Sequence, residues 1–483
     1  MPDFRAVLFV TGFLLLALAA TMLLPAGIDA LAGNEDWQAF LASAVITGGV
    51  GGALVLGYNK GGELALTVRE GFLLTVSSWV LLAGFATLPL MMTAEPLDFT
   101  DAYFETMSGL TTTGASVMTG LDGQPMGILL WRALLHWVGG IGIIVIAVTV
   151  LPLLRVGGMQ LFRSESSEKS EKSRPRVSQI SGMLISVYVT LTMLCAIALV
   201  IAGMPAFDAV CHAMSALATG GFSTRDLSVA FYANPAVEWV LTFFMFIGGM
   251  TFVLLARAAR GDIAWLWRDD QTRLYCLVVL AYIVALSAWQ VLQNDEPMMA
   301  AVRDVSFNVI SIITTTGFAS EDYLAWGAMP MTAFMVLLFI GACTGSTSGG
   351  IKLFRVGVLV SAARWQIQHL IHPHRVNPPT YNGKPISDEV LRSVLSFFVF
   401  YMIAFALISI TLSAFDIDIL SSISAAAQAL GNVGPGLTPE IGPIGNYSGM
   451  PDGAKWLLSL AMLLGRLELL TVLVLLSPTY WRG

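Results

Sequence analysis

Four short segments of this sequence combine threonine, asparagine and glycine in a pattern that suits the coordination of a dehydrated cation. Each segment ends in a glycine that lies thirteen residues after an Asp or Ser. Carbonyl oxygens can replace the hydration shell of a monovalent cation, and glycine permits the backbone angles that turn them toward one axis. The spacing therefore predicts a single ring of oxygen ligands from four loops. The paired positions are Asp101 and Gly114, Asp208 and Gly221, Asp304 and Gly317, and Ser421 and Gly434.

Three residues from each segment are predicted to line this filter, with threonine hydroxyls as further ligands at its inner end. They are Thr112, Thr113 and Gly114; Thr219, Gly220 and Gly221; Thr315, Thr316 and Gly317; and Asn432, Val433 and Gly434. The second copy has two glycines in a row, and the fourth lacks threonine and continues into Pro435, so we expect an asymmetric ring. An alternative is that the glycines only allow close helix packing, which leaves the repeated segments without a purpose.

Short helices are expected to hold these loops. Asp101, Asp208, Asp304 and Ser421 are residue types that cap helix N-termini. About ten helical residues then span roughly 15 Å, half the thickness of a bilayer. The partially negative C-terminus of each half-helix would point toward the membrane centre. Non-helical backbone at that depth is tolerated only where it is buried in protein or lines a water-filled path.

The rest of the chain consists largely of predicted membrane spans. The chain has 483 residues, of which 56% are hydrophobic and 12% charged, whereas soluble domains carry roughly 25% charged residues. A span needs roughly 20 mostly apolar residues, and ten runs qualify. They are 6–28, 37–59, 71–94, 133–154, 177–207, 239–256, 274–294, 323–351, 393–415 and 456–481. We interpret the first run as a retained helix rather than a cleaved signal.

The loops between these runs predict the orientation and the domain organisation. With the N-terminus inside, the inner segments hold 20 of the 25 Lys and Arg residues, which places both termini in the cytoplasm. The predicted fold is an all-α membrane protein with two leading transmembrane helices and four helix–pore-loop–helix repeats around a central pore. The predicted units are 1–60 for the leading helices and 61–176, 177–272, 273–386 and 387–483 for the repeats.

Two features inside the spans suggest control of a pore. Segment 341–350 contains four glycines in ten residues, which disfavours a continuous helix; a simple kink is the alternative. Arg466 lies within the last span, and a charge there is a functional candidate. Below a cation filter it would act as an electrostatic barrier. The alternative, a pair with Glu468, needs another helix because the two residues face different sides. Lys352 could extend to the inner surface.

These segments resemble the TrkH proteins of the Trk/Ktr/HKT superfamily. The resemblance rests on LTTTGAS, ATGGFST, TTTGFA and GNVGPG in the four loops, and on HWVGGIGIIVIAVTVLP at 136–152, GSTSGGIK at 345–352 and GRLE at 465–468. It covers essentially the whole chain, including the leading helices and the C-terminal SPTYWR. It implies a bacterial inner-membrane protein that is not an enzyme, a homodimer with one pore per subunit, and K+ as the transported ion, with rubidium accepted.

The resemblance also implies a gate and a partner. Segment 341–350 would obstruct the pore below the filter, with Gly345, Gly349, Gly350, Lys352 and Arg466 as gate residues. A serine at the position of Gly114 goes with sodium preference in plant relatives, so glycine favours potassium. The partner would be a cytosolic TrkA-type ring that binds NAD or ATP, since this chain has no nucleotide motif. Segment 163–176 is polar and charged, and we expect it to be either mobile or a docking surface for the partner. No nucleic-acid partner is expected.

Two other functions remain as alternatives. A symporter that moves potassium with protons or sodium usually needs an intramembrane carboxylate that titrates, and the candidates are Glu468 and Glu105. A membrane-embedded enzyme would need clustered His, Asp or Glu at mid-membrane depth. Only His136 and His212 are candidates for such a site, and they lie near the outer side in different repeats, which disfavours an enzyme.

Overall fold

The computed structural model describes residues 4–59, 67–149, 177–374 and 378–482, and these are mostly α-helical. The strands are two residues long: Ile340–Gly341 pairs in parallel with Ile351–Lys352, and Thr380–Tyr381 pairs antiparallel with Lys384–Pro385. The predicted all-α membrane fold class is thus confirmed. Segment 163–176, expected to be mobile or a docking surface, lies outside the described residues.

Seven helices in the described residues are long and apolar enough to cross a membrane. The first two form a hairpin in which Gly12 and Gly51 allow the backbones to touch. A Cβ on either glycine would come within 2.9 Å of the other's carbonyl oxygen. The seven helices are Phe4–Ala32, Trp37–Tyr58, Val68–Met92, Met126–Thr149, Val177–Ile201, Asp270–Gln293 and Asp388–Ser413.

The other three predicted spans are interrupted. Run 239–256 is divided into Pro235–Gly248 and Phe252–Ala258, bent by 106°, and run 456–481 into Asp452–Arg466 and Leu470–Leu476, bent by 114°. Run 323–351 holds the helix Ala328–Leu337, then a loop, and the chain resumes as helix Leu353–Ile371. The two sharp bends were not predicted. Short helices Ala264–Arg268 and Pro478–Arg482 follow the two bent spans.

Four half-helices lie between consecutive spans. They run Phe99–Leu110, Ala206–Ala218, Met298–Ile313 and Ile419–Gly431. We number them one to four, with the loops that follow them. The structure divides their surroundings into two large hydrophobic clusters: the first surrounds half-helices one and four with the leading helices, and the second surrounds half-helices two and three.

The predicted N-caps of these half-helices are wrong. Each helix begins earlier, because an Asp or Pro that precedes the predicted cap also starts a helix well. Asp98 and Asp418 cap half-helices one and four by accepting from the N–H groups of Asp101 and Ser421, and Pro205 and Pro297 precede the other two. Asp101, Asp208 and Ser421 lie in the first turn, and Asp304 lies further along its helix.

These four residues instead make contacts toward the N-terminal ends of the half-helices. Asp101 pairs with Lys455 at 2.5 Å, Asp208 with Arg225 at 2.9 Å and Asp304 with Arg303 at 2.8 Å. The Ser421 and Thr438 hydroxyl oxygens are 2.8 Å apart. Three of the four contacts join a half-helix to a segment outside it, so they fix the half-helices that carry the loops.

Candidate cation filter and gate

The four loops share one backbone conformation. The residue two before each glycine has a left-handed φ between 51° and 59°, and each glycine has a φ between 81° and 96°. The N–H of the residue before each glycine donates to a carbonyl in the last turns of its half-helix, at 2.8 to 3.0 Å. These carbonyls belong to Ser108, Ser215, Ser311 and Gln428. The common conformation agrees with the fixed register in the sequence.

The four loops also meet in a closed ring. A Cβ on Gly114 would overlap the Gly220 carbonyl oxygen, one on Gly221 that of Thr316, and one on Gly317 that of Val433. A Cβ on Gly434 would lie 2.8 Å from the Thr113 carbonyl oxygen, which returns to the first loop. Each glycine thus lies against the carbonyl oxygen of the residue that precedes the glycine of the next loop. Only glycine fits both the φ and this close approach.

The threonine side chains are less uniform than the backbone. The hydroxyl oxygens of Thr113 and Thr316 lie 2.8 Å from those of Thr111 and Thr314 in their own segments. Asn432 replaces a threonine in loop four, and its amide donates to the Thr113 hydroxyl at 3.0 Å. This bond joins loops four and one, so the expected asymmetry of the ring is accompanied by a specific contact.

His136 explains why the second loop has two glycines. Its ring occupies the space where a Cβ on Gly220 would lie. The ring stacks on Phe222 with centroids 4.1 Å apart, and its Nδ1 lies 2.9 Å from the Ser215 hydroxyl. His212 supports the same loop from Nε2, 3.0 Å from the Ser223 hydroxyl. Sequence analysis missed this role because it depends on residues far apart in the chain.

A buried ion pair supports the first two loops from behind. Arg132 Nε lies 2.8 Å from Glu105 Oε1, and the Arg132 Nη1 group donates to the Ser223 carbonyl at 2.8 Å. Glu105 also accepts from the Val117 N–H at 2.9 Å. Both side chains are at most 2% exposed. The pair therefore links the outer ends of loops one and two, and Glu105 is engaged in structure.

The glycine-rich segment forms a loop whose ends are held together by the parallel pairing of Ile340–Gly341 with Ile351–Lys352. Its first half contacts the bend in the second repeat. The Cys343 N–H donates to the Gly249 carbonyl and the Phe252 N–H to the Gly345 carbonyl, both at 3.0 Å. Gln271 accepts from the Thr344 N–H at 3.0 Å. These hydrogen bonds thus join the loop of one interrupted span to the bend of another.

The second half of this loop contacts the inner ends of the half-helices. The Gly349 N–H donates to the Thr315 hydroxyl at 2.8 Å, and the Thr347 hydroxyl donates to the Leu217 carbonyl at 3.0 Å. A Cβ on Gly349 would overlap the Gly431 carbonyl oxygen. The loop therefore touches half-helix two, loop three and half-helix four next to the candidate filter.

Arg466 reaches this loop from the last span. Its Nη1 group donates to the Thr347 carbonyl at 2.7 Å, and its side chain is 3% exposed. Its Nε and Nη2 groups have no hydrogen bond in the described parts of the chain. Glu468 pairs with Arg355 instead, so the alternative of an Arg466–Glu468 pair is not observed. Arg466 is thus a buried cation that contacts the loop.

Lys352 does not extend toward the inner surface as one interpretation had it. Its ammonium group donates to the carbonyl and, at 3.0 Å, to the hydroxyl of Ser348, and the residue is 7% exposed. The cleft beside the loop is lined by Ser346, Lys352 and Arg466 together with Glu468. Of the five predicted gate residues, Gly349, Lys352 and Arg466 contact the loop or the half-helix ends, while Gly345 and Gly350 adopt positive φ in the loop.

Comparison with known proteins places the chain in one family. The TrkH profile, described as a cation transport protein, matches residues 37–482. The Trk system potassium uptake protein TrkI of Halomonas elongata is 43% identical, covering 99% of this chain and 96% of that one. TrkH of Escherichia coli K12 is 36% identical, with 99% of each chain covered.

The fold agrees with this relationship. The crystal structure of the potassium transporter TrkH from Vibrio parahaemolyticus matches with a TM-score of 0.92 at 32% sequence identity, covering 99% of this chain and 100% of that one. The resemblance inferred from the loop motifs is confirmed, as is the expectation of a transport protein rather than an enzyme. The chain belongs to the TrkH family of cation transport proteins.

Proposed function

We propose that this protein mediates the uptake of potassium, and of rubidium, through a selectivity filter built from its four loops. The observation that carries the proposal is the closed ring in which Gly114, Gly221, Gly317 and Gly434 each lie against the carbonyl of the next loop. Such a ring brings backbone oxygens from four directions to one axis, where they can replace the water around a monovalent cation. The names of the relatives, which are potassium uptake proteins, agree with this proposal.

The four repeats would then correspond to 61–176, 177–272, 273–386 and 387–483, each with one half-helix and one filter loop. In this arrangement the half-helix C-termini would face the ion path, so their dipoles would favour a cation at the inner end of the filter. One hydrophobic cluster lies mainly in repeats two and three and the other mainly in repeats one and four with the leading helices, and each also contains residues of the other pair. This division supports an arrangement in which four units surround one path.

In this proposal the loop at 341–350 closes the path below the filter and Arg466 adds an electrostatic barrier. The supporting contacts are those of Gly349 with Thr315 and of Arg466 with the Thr347 carbonyl. A cation that leaves the filter would meet the loop backbone and a buried guanidinium. Opening then requires that these two hydrogen bonds break, which a force on helix Leu353–Ile371 could achieve because this helix follows the loop directly.

The force would come from a cytosolic TrkA-type ring that binds NAD or ATP. Helix Leu353–Ile371 carries exposed Leu370 and Ile371 at its far end, where such a partner could act. The proposal also includes a homodimer in the bacterial inner membrane with both termini in the cytoplasm, as the distribution of Lys and Arg favours.

Coupled symport is the second candidate function, and the ion pairs of the structure disfavour it. A coupling carboxylate has to gain and lose a proton during transport. Glu105 and Glu468, the two candidates, are each paired with an arginine, Arg132 and Arg355. Protonation of either carboxylate would leave a buried arginine unpaired, which is strongly unfavourable.

The deciding experiment is rubidium uptake into proteoliposomes that contain this protein alone. Potassium and sodium serve as competitors, and the wild type is compared with Gly114→Ser and Arg466→Ala. We expect potassium to block uptake and sodium not to, Gly114→Ser to remove potassium-selective uptake because its Cβ would overlap the Gly220 carbonyl oxygen, and Arg466→Ala to raise the basal rate. Absence of uptake under every ion gradient, with or without a TrkA-type partner, would show that the ring is not a conducting filter.

A further inference from the structure

One carbonyl of the candidate filter carries a hydrogen bond that its three counterparts lack in the described residues. The Tyr447 hydroxyl donates to the Gly434 carbonyl oxygen, with 3.1 Å between the oxygens. The carbonyls of Gly114, Gly221 and Gly317 accept no hydrogen bond within the described parts of the chain. The four loops therefore share one backbone conformation, but among the four glycine carbonyls only that of Gly434 accepts a hydrogen bond within the described residues.

Tyr447 is held firmly enough to impose this difference. It is 2% exposed, and its N–H donates to the Ser116 carbonyl at 2.8 Å. Its ring lies 5.5 Å from that of Phe104, on half-helix one. The side chain thus contacts the first repeat and donates its hydroxyl to the filter loop of the fourth.

The other repeats have no equivalent donor at the same distance along the chain. Tyr447 lies thirteen residues after Gly434, and the residues thirteen after the other three glycines are Gly127, Asn234 and Pro330. Asn234 uses its side-chain amide on the Ala202 carbonyl. A tyrosine hydroxyl directed at a filter carbonyl is therefore specific to the fourth repeat among these aligned positions.

We propose that Tyr447 is a positioning residue that weakens the layer of cation ligands formed by the four filter glycine carbonyls. A carbonyl oxygen has two lone pairs, and the Tyr447 hydroxyl occupies one of them on Gly434. Three oxygens of the layer are then free, and the fourth is shared. The inference rests on the proposed function, since conduction requires sites that bind a cation well enough to admit it and weakly enough to release it.

The test is Tyr447→Phe, which keeps the aromatic ring on Phe104 and removes only the hydroxyl. The freed carbonyl becomes a full ligand, so the layer binds a dehydrated cation more tightly. A typical net hydrogen bond predicts that the half-saturating rubidium concentration for uptake falls by about threefold. The matched control is Tyr401→Phe, because the Tyr401 hydroxyl is buried without a hydrogen-bond partner in the described residues; its half-saturation should equal that of the wild type.

A merely structural role would give a different result. Loosening of the fourth loop would lower the maximal rate and the potassium-over-sodium discrimination, with half-saturation unchanged or raised. A second measurement that needs no transport is the rise in unfolding temperature in detergent when potassium chloride replaces sodium chloride. We expect this rise to be larger in Tyr447→Phe than in the wild type.

Failure of the inference is distinguishable from failure of the proposed function. If the wild type takes up rubidium but Tyr447→Phe has an unchanged or higher half-saturating concentration, the role of Tyr447 is refuted and the filter stands. An unchanged potassium-dependent rise in unfolding temperature would refute it in the same way. If the wild type takes up no rubidium, the proposed function itself fails.

Discussion

The candidate filter and the level directly inside it are built on opposite plans. In the filter, four loops adopt one conformation and meet in a closed ring. Inside it, the four following spans differ: the first, Met126–Thr149, is continuous, the second and fourth bend by 106° and 114°, and the third contains the loop at 341–350. Uniform loops suit coordination of a spherical ion. Unequal spans make different hydrogen bonds, so the bonds of one span can break while those of the others stay intact.

The two levels also differ in the forces that hold them. The ring depends on close backbone approach, so it tolerates almost no added volume. The inner level depends on a few polar contacts of Gln271, Arg355 and Arg466 in a largely apolar region. Substitutions should therefore abolish function at the first level and change stability or basal flux at the second.

The largest effect is expected where the ring itself is filled. Gly114→Ala places a Cβ on the Gly220 carbonyl oxygen, so we expect rubidium uptake at background level. The matched control is Gly120→Ala, six residues away with a φ of 69° and open space around it. This variant should be destabilised by only about 1 kcal/mol, because alanine resists the left-handed backbone, and it should retain transport. Equal loss of uptake in both variants would contradict the ring.

The next largest effect concerns the stability of the inner level. Glu468→Gln leaves Arg355 without its buried carboxylate, and breaking such a pair typically costs about 3–5 kcal/mol. We expect a clearly lower apparent unfolding temperature in detergent. The control is the double variant Arg355→Met with Glu468→Gln, which removes the unpaired charge and should recover part of the loss. An additive loss in the double variant would mean that the two side chains are not coupled.

A smaller effect should separate the gate from the filter. Gln271→Leu removes the acceptor for the Thr344 N–H and the amide that donates to Thr251 at 3.2 Å. Loss of a net hydrogen bond should raise basal rubidium uptake by about fivefold without changing competition by potassium. Gln290→Leu is the control, because this glutamine lies on the same helix at its opposite end. Altered potassium competition in Gln271→Leu would mean that the two levels are not separate.

The smallest effect concerns the segment that follows loop three. Burial and the nearby Asp304 raise the pKa of Glu321, in the segment after loop three, to about 7. Its pKa in the folded state lies above the ordinary value of 4.5. Between these two values the folded state keeps a proton that the unfolded state has lost, so the stability of the fold falls as the pH rises. Acidification from pH 8 to 6 protonates Glu321 and removes one negative charge that attracts cations. Because one such charge contributes less than about 1 kcal/mol in water, uptake should fall by about half. A pH profile of Glu321→Gln that keeps this step would exclude Glu321 as its source.

The repeated parts of the site could be predicted from the sequence because they depend on local backbone conformation. The thirteen-residue spacing and the glycines identify the loops without knowledge of their neighbours. His136, Arg132 and Tyr447 could not be assigned roles, because each acts on a segment distant in sequence. The helix starts were also missed, since Asp98, Pro205, Pro297 and Asp418 begin helices as well as the predicted caps do. The bends at 248–252 and 466–470 carry only a weak signal, a pair of glycines in the first and two charges in the second.

The contact between the first and fourth loops has a consequence for biogenesis. Asn432 bonds to Thr113 across 319 residues of sequence, and Gly434 meets the carbonyl of Thr113. During translation, the first loop is synthesised long before the segment that completes its side of the ring exists. Under the proposed function, an unfinished chain in the membrane therefore lacks a complete filter. Selective conduction would begin only when the chain is nearly complete.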